Sequence, residues 1–396
     1  MIHMSDIVGQ DRAIGEIEHA MASGRMPHAF MFAGPQGVGR RTTATALAAT
    51  LLCEKPVASR DHGPTTRKSH LAPGPSSLVA SPLQACGQCV ECRLMAGGSH
   101  PDFHLVYKEL ARYHDEQNVR ERKMQELGIE VIRSFLIAPA CRSPARGRAK
   151  VFVVREADLM SHAAQNALLK TLEEPPPGVT IILLVERPEE MLPTTLSRCR
   201  LVRFDLLPRQ FVSGKLREKG VAAPEADFWA AYTGGSIGRA ERLAASGMYE
   251  VKRDVIGRLA ALGALGDAEL GEYLAKLMEK LADAEIKAVK EAEGAELAKT
   301  LASRRAAGTM LELVASAYLD AMHVRAGAAG QESFSVIHSD QQEAIAAIAR
   351  RFEPDKLARI IEHLSDYEEI LWRNVNPKTV WDNVVISCAT AAPLRL

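Results

Sequence analysis

Four cysteines and one glycine-rich loop carry the spacings in this chain that can do chemistry. Cys86, Cys89 and Cys92 stand in a C-x2-C-x2-C pattern, and Cys53 precedes them at the end of an apolar helical stretch. Four thiolates close a tetrahedral zinc site, and the tight triple spacing sets three ligands around one turn. Redox chemistry is the rival, because each C-x2-C pair is also a potential dithiol. The triple spacing favours structural zinc. Cys141, Cys199 and Cys388 stand alone and read as core or inert thiols. In the loop, Gly34 and Gly39 satisfy the glycine positions of a phosphate-binding G-x-x-x-x-G-K-[ST] pattern. Arg40 stands where the pattern needs lysine, and Arg41 where it needs a magnesium-ligating hydroxyl. An arginine fork pairs with phosphate, but it is longer than the lysine it replaces and is matched to flatter geometry. A folded loop kept for packing is therefore favoured over ATP binding.

The elements around these residues are legible. HAFMFAG (His28 to Gly34) reads as a strand entering the loop, and RTTATALAATLL (Arg41 to Leu52) as the helix that leaves it. Gln10 to Ala22 has helical spacing. VFVV (Val151 to Val154) and TIILLV (Thr180 to Val185) are apolar runs of the kind buried on both sheet faces. Between them Ala164, Ala167, Leu168 and Leu172 fall on one helical stripe, with Ser161 as N-cap and Pro175 to Pro177 as the stop. Strand, helix, strand in this order is a βαβ unit of a parallel sheet. Residues 54–83 are rich in Pro, Ser, Gly and basic residues and read as a flexible insertion, and the charged stretch 107–126 reads as an exposed one. His100 reads as a turn anchor, and Arg142, Arg146, Arg148 and Lys150 as a solvated basic turn. Past Gln210 the strands stop: 206–248 reads as three short helices and 249–396 as long amphipathic helices.

Bulk properties narrow the class. With 396 residues, 47% hydrophobic and 25% charged, the chain is long enough for two or three domains and is ordinary globular material. No apolar run approaches the roughly 20 residues of a membrane span. The start, MIHMSDIVGQ, lacks a basic-then-apolar signal pattern, so a cytoplasmic protein is expected. A formal net charge of zero leaves no overall electrostatic footprint for nucleic acid.

The words themselves add more. NALLKTLEEPP followed by SRC (Ser197, Arg198, Cys199), with HPD at His100 to Asp102 and RNVNPKTVWDNVVI near the end, resembles the AAA+ subunits of the bacterial DNA polymerase III clamp loader. The resemblance implies an α/β P-loop (RecA-like) domain over 1–205 with a four-cysteine zinc module, a three-helix lid over 206–248, and an all-α collar over 249–396. It also implies which groups should hold nucleotide. The strand ending in VVRE should finish Asp–Glu, yet Arg155 takes the Asp position and only Glu156 survives. Val185 falls where a polar γ-phosphate sensor belongs, and Gly238 where an arginine belongs, with Arg239 one step on. Arg40, Arg41, Arg155, Val185 and Gly238 together imply the delta prime branch, a vestigial site holding no ATP or Mg2+. The intact Arg198 then implies an arginine finger acting in trans, where residues alone would suggest only a salt-bridged surface arginine. Implied partners are gamma/tau and delta subunits in a hetero-pentamer, with sliding clamp and primer-template DNA reached through that complex of the polymerase holoenzyme. The alternative is an ATP-binding gamma/tau-like motor.

Overall fold

The two apolar runs that frame the βαβ unit become the middle of a five-stranded sheet in the computed structural model, which describes residues 2–58, 83–120, 126–147, 149–263, 268–293, 299–327, 336–372 and 376–391. The strands are β1 (Ala29–Ala33), β2 (Phe103–Val106), β3 (Lys150–Val154), β4 (Val179–Val185) and β5 (Arg200–Arg203). All pairs are parallel, in the order β2-β3-β4-β1-β5. Every residue of β1, β3 and β4 is buried, as expected where helices cover both faces. Alternation decides the faces. Phe30, Phe32, Val151, Val153, Ile182 and Leu184 point into a core shared with helices α1 (Asp11–Ala22) and α2 (Arg40–Leu52). Met31, Phe152, Val154, Ile181, Leu183 and Val185 point to the other side, against Leu168 and Leu172 of a further helix, His162–Glu173. Ser161 caps that helix by accepting from the Ala164 N–H at 3.2 Å. Ala164, Leu168 and Leu172 are buried on its inner stripe, while Ala167 lies half-exposed beside it.

The register brings the strand ends level. Ala33 pairs with Val185 on one side and Arg203 on the other, and Val154 pairs with Leu183. The loops leaving β1, β3, β4 and β5 therefore meet along one edge, where open parallel sheets place their ligand sites.

Two stretches depart from the reading as exposed loops. Within 107–126, Lys108–Tyr113 forms a 3-10 helix and Gln117–Arg120 a helical turn, and Ala111 and Val119 are buried among the core residues. His114 is buried with them and its Nε2 meets Ser134 Oγ at 3.0 Å. The surrounding charge density hides those two apolar anchors. In the basic turn, Lys150 is buried and donates to the carbonyls of Pro139 and Arg142, each at 2.9 Å. It satisfies orphan carbonyls at a helix end, so it is no surface cation. Residues 59–82 of the 54–83 insertion, residues 121–125, Arg148 and residues 373–375 of RNVNP lie outside the described residues.

Met1–Pro208 is one compact unit and Arg209–Leu396 the other. The second is helical throughout its described residues. Three short helices (Arg209–Glu218, Ala223–Tyr232, Ile237–Ala245) precede longer ones, including Met248–Ala261, Ala268–Glu293, Lys299–Arg325, Pro354–Trp372 and Pro377–Thr390. Leu274, Met278, Leu311, Val314, Trp381 and Val384 lie in their common core. The last helix starts as the Asn–Pro pair suggests: Asn376 accepts from the Lys378 N–H at 2.9 Å. The short helices are tied to the long ones, since Tyr232 donates to the Thr309 carbonyl at 3.1 Å.

A buried ion pair sits beside that junction. Lys252 is 0% exposed, its Nζ lies 2.6 Å from both oxygens of Asp340, and it stands 4.1 Å from the centre of the Phe228 ring. Burial pulls the ammonium below its ordinary value, and Asp340 pulls it back up. Removing one partner strands the other charge. Lys252→Met is expected to destabilise the Arg209–Leu396 unit by about 3–5 kcal/mol in denaturant unfolding, and the double variant with Asp340→Asn should recover part of that loss.

Candidate functional site

The glycine-rich loop between β1 and α2 folds as its glycines require. Gly37 and Gly39 have φ of 82° and 104°. Gly34 has φ of 153°, and a β-carbon there would lie 2.3 Å from the Phe204 carbonyl oxygen. The loop is pinned to the sheet as well: Gly34 donates to the Val185 carbonyl at 3.1 Å, and Phe204 to that of Ala33 at 2.7 Å. Arg40 opens α2 half-buried, while Arg41 is exposed. Burial lowers the Arg40 pKa, and the nearby carboxylates of Glu186 and Asp158 raise it. The cation at the lysine position thus has acidic neighbours on this chain. A cavity of about 190 Å³ lies between the ends of β1, β4 and β5, lined by Ala33, Gly34, Glu186, Arg203 and Phe204 among others. It falls short of the roughly 300–1,000 Å³ of a typical ligand pocket.

At the end of β3 the surviving acid is already engaged. Glu156 takes a left-handed conformation, with φ of 48°, and both of its oxygens lie 3.1 Å from Lys108 Nζ. Arg155 stands over the Tyr107 ring, 5.6 Å from its centre. Tyr107 therefore places a ring against Arg155, and Lys108 a cation against Glu156. Val185 is fully buried and offers no polar group. In the helical unit, Gly238 lies in the first turn of Ile237–Ala245, and the neighbouring Arg239 pairs with Glu312 and stacks over Tyr232.

SRC lies at the entrance to β5, after the short helix Pro193–Leu196. Arg198 Nε donates to Glu173 Oε1 at 2.8 Å and Nη2 to the same oxygen, while Nη1 donates to the Thr194 carbonyl at 2.9 Å. Its side chain is 31% exposed. Cys199 is mostly buried, and that burial pushes its thiol up to about 12, far from a nucleophile's range.

The four clustered cysteines converge. Their sulfur atoms all lie within 4.8 Å of one another, with Cys53 to Cys89 and Cys86 to Cys92 each at 3.9 Å. A tetrahedron of zinc–sulfur bonds of about 2.3 Å has edges of about 3.8 Å. The set could hold a metal ion. Cys53 is the residue closing α2, so the loop helix ends at the cluster. Cys89 caps a short helix, Val90–Ala96, by accepting from the Cys92 N–H at 3.4 Å. Backbone N–H groups of Gln88 and Cys89 draw the Cys86 thiol down to about 6, whereas burial raises Cys53 and Cys92.

Sequence reasoning misses the second partners. Glu91, between two of the cysteines, is buried and holds His100 Nε2 at 2.8 Å and Arg146 Nε at 3.1 Å. His100 also accepts the Asp102 N–H through Nδ1 at 3.1 Å, the turn anchor expected of it. Lys108 and Glu173 carry no signal beyond being charged residues among others, because their partners lie 48 and 25 positions away.

A glycine loop joining β1 to α2 at the carboxyl edge of a parallel sheet, with an acid at the end of β3, defines a P-loop-type α/β domain. The sequence profile described as DNA polymerase III, delta subunit, matches residues 9–72 and 76–208, and that of its C-terminal part matches residues 273–386. The chain belongs to the DNA polymerase III delta-subunit family. It is 29% identical over 263 residues to DNA polymerase III subunit delta' of Pseudomonas aeruginosa, covering 64% of this chain and 66% of that one. It is 30% identical to DNA polymerase III subunit gamma/tau of Mycobacterium tuberculosis, covering 56% and 32%. With DNA polymerase III subunit delta' of Escherichia coli the identity is 32%, covering 48% and 46%. The chain thus spans about two thirds or less of the curated relatives it matches. Among its described residues no helix is long and apolar enough to cross a membrane.

Proposed function

We propose that this chain is a delta prime subunit of a cytoplasmic DNA polymerase III clamp loader, which turns over no ATP itself and lends Arg198 to a neighbouring subunit. The observation that carries this reading is the Lys108–Glu156 ion pair beside Arg155. A hydrolytic site needs the acid free to polarise water and a second acid near magnesium. Here a lysine occupies the one and an arginine replaces the other, which is electrostatically hostile to a divalent cation. Arg40 and Arg41 remove the lysine and hydroxyl on the loop side. Gly34, Gly39, Arg40, Arg41, Arg155 and Glu156 are then a vestigial site kept as scaffold, and Gly34 keeps the loop against β5.

Arg198 is the opposite case. Its planar fork suits the equatorial oxygens of a transferring phosphoryl group, and it stands partly exposed at the end of a sheet edge. The partners would be gamma/tau and delta subunits in a hetero-pentamer, with the sliding clamp and primer-template DNA served by that assembly. The helices of 249–396 would form its collar and those of 206–248 a lid. Cys53, Cys86, Cys89 and Cys92 would hold a structural zinc ion. When bound, it supplies the positive charge that keeps buried thiols such as Cys92 ionised; the four residues themselves tie the end of α2 to the helix carrying Glu91.

A gamma/tau-like motor is the second reading, drawn from the 30% identity to gamma/tau relatives. Calorimetric titration of the isolated chain with ATP and magnesium separates the two. No saturable binding at micromolar concentrations is the expected result. A micromolar Kd would overturn the vestigial-site reading and favour the motor.

A further inference from the structure

The helix that carries NALLKTLEE and the loop that carries SRC form one device. Two residues of His162–Glu173 reach across to the loop. Gln165, fully buried, accepts the Leu192 N–H at 2.9 Å and donates to the Met160 carbonyl at 3.2 Å, which fixes where the loop begins. Glu173, the last residue of the helix, takes the Nε edge of Arg198. From the loop itself, the Thr194 carbonyl and Ser197 Oγ accept from Nη1 at 2.9 and 3.3 Å. A guanidinium has five N–H donors. Four are thereby directed within the chain, and one Nη2 N–H has no partner among the described residues.

We propose that Glu173 is a positioning residue for Arg198, an inference that rests on the reading of Arg198 as a finger acting in trans. A long arginine on a surface loop ordinarily samples many rotamers, and ordering it costs free energy at the moment of use. A donor fixed beforehand stabilises developing charge without that reorganisation. Glu173 is well placed to fix it: Glu174 closes the helix after it and Pro175 to Pro177 follow, so its backbone is set by the helix end. The carboxylate takes Nε and one Nη2 N–H, the loop takes Nη1, and the second Nη2 N–H is the donor left for a partner. The side chain of Glu173 is 48% exposed, so its removal opens no cavity.

The test uses the complex of this chain with its ATP-hydrolysing partner subunits, and steady-state ATP turnover is the readout. E173A is expected to lower kcat by about 10-fold with KM for ATP unchanged, and E173Q, which keeps an oxygen for Nε, to lose less. The thermal midpoint of the chain should not move. R198A should lower kcat further, and adding E173A to it should change nothing more. If R198A lowers kcat while E173A leaves it unchanged or raises it, the positioning role is overturned and the finger stands. An E173A effect of equal size in the R198A background also overturns it. If R198A has no effect in an intact complex, the finger reading fails, and the role of Glu173 with it.

Discussion

On the proposed zinc reading, Cys92→Ser is expected to strip the metal from the amino-terminal unit and to lower its thermal midpoint by about 10 °C or more. The size follows from what the cluster joins. Cys53 ends the loop helix, Cys89 caps the helix of Glu91, and Cys92 is 1% exposed among the core residues of the first sheet face. Structural zinc sites contribute on the order of 10 kcal/mol to the segments they close. Losing a share of that in a domain of this size moves the midpoint by about 2–4 °C per kcal/mol. Metal content by atomic emission should fall from one equivalent towards zero. A chelator added to the unaltered protein should reproduce the shift, and Cys141→Ser, at an exposed thiol, should not. Full metal content with an unchanged midpoint in Cys92→Ser would rule out a structural metal held by this residue.

How far the sequence speaks depends on how local the physics is. β1, β3 and β4 are legible because both their faces are buried, which writes a continuous apolar run into the chain. Ser161 and Asn376 are legible as caps, or as the residue before a helical proline, because a cap satisfies a donor two or three residues away. Lys150 escapes a sequence reading because its acceptors belong to a different element, and 107–126 because charge outnumbers Ala111 and Val119. The same limit holds at the site. Substitution of Arg40, Arg41 and Arg155 into a familiar pattern can be seen directly, but the cation on Glu156 and the carboxylate on Arg198 come from distant segments. Cys53 lies 33 positions before Cys86, so spacing alone marks only the three later cysteines, and the family resemblance is what joins Cys53 to them.

On the proposed reading, this chain gives chemistry to a neighbour while doing none with its own loop. The most direct test of that claim is Arg198→Ala in the assembled loader, with ATP turnover and subunit composition measured on the same sample. An arginine finger is worth about 10³–10⁵ in phosphoryl transfer. The exposed Arg198–Glu173 pair contributes only about 0–1 kcal/mol to folding, so the complex should assemble as before. The expected result is a fall of about 10³-fold at the site Arg198 faces, with lysine at that position recovering little because it lacks the fork. Unchanged turnover in a fully assembled complex would contradict the claim.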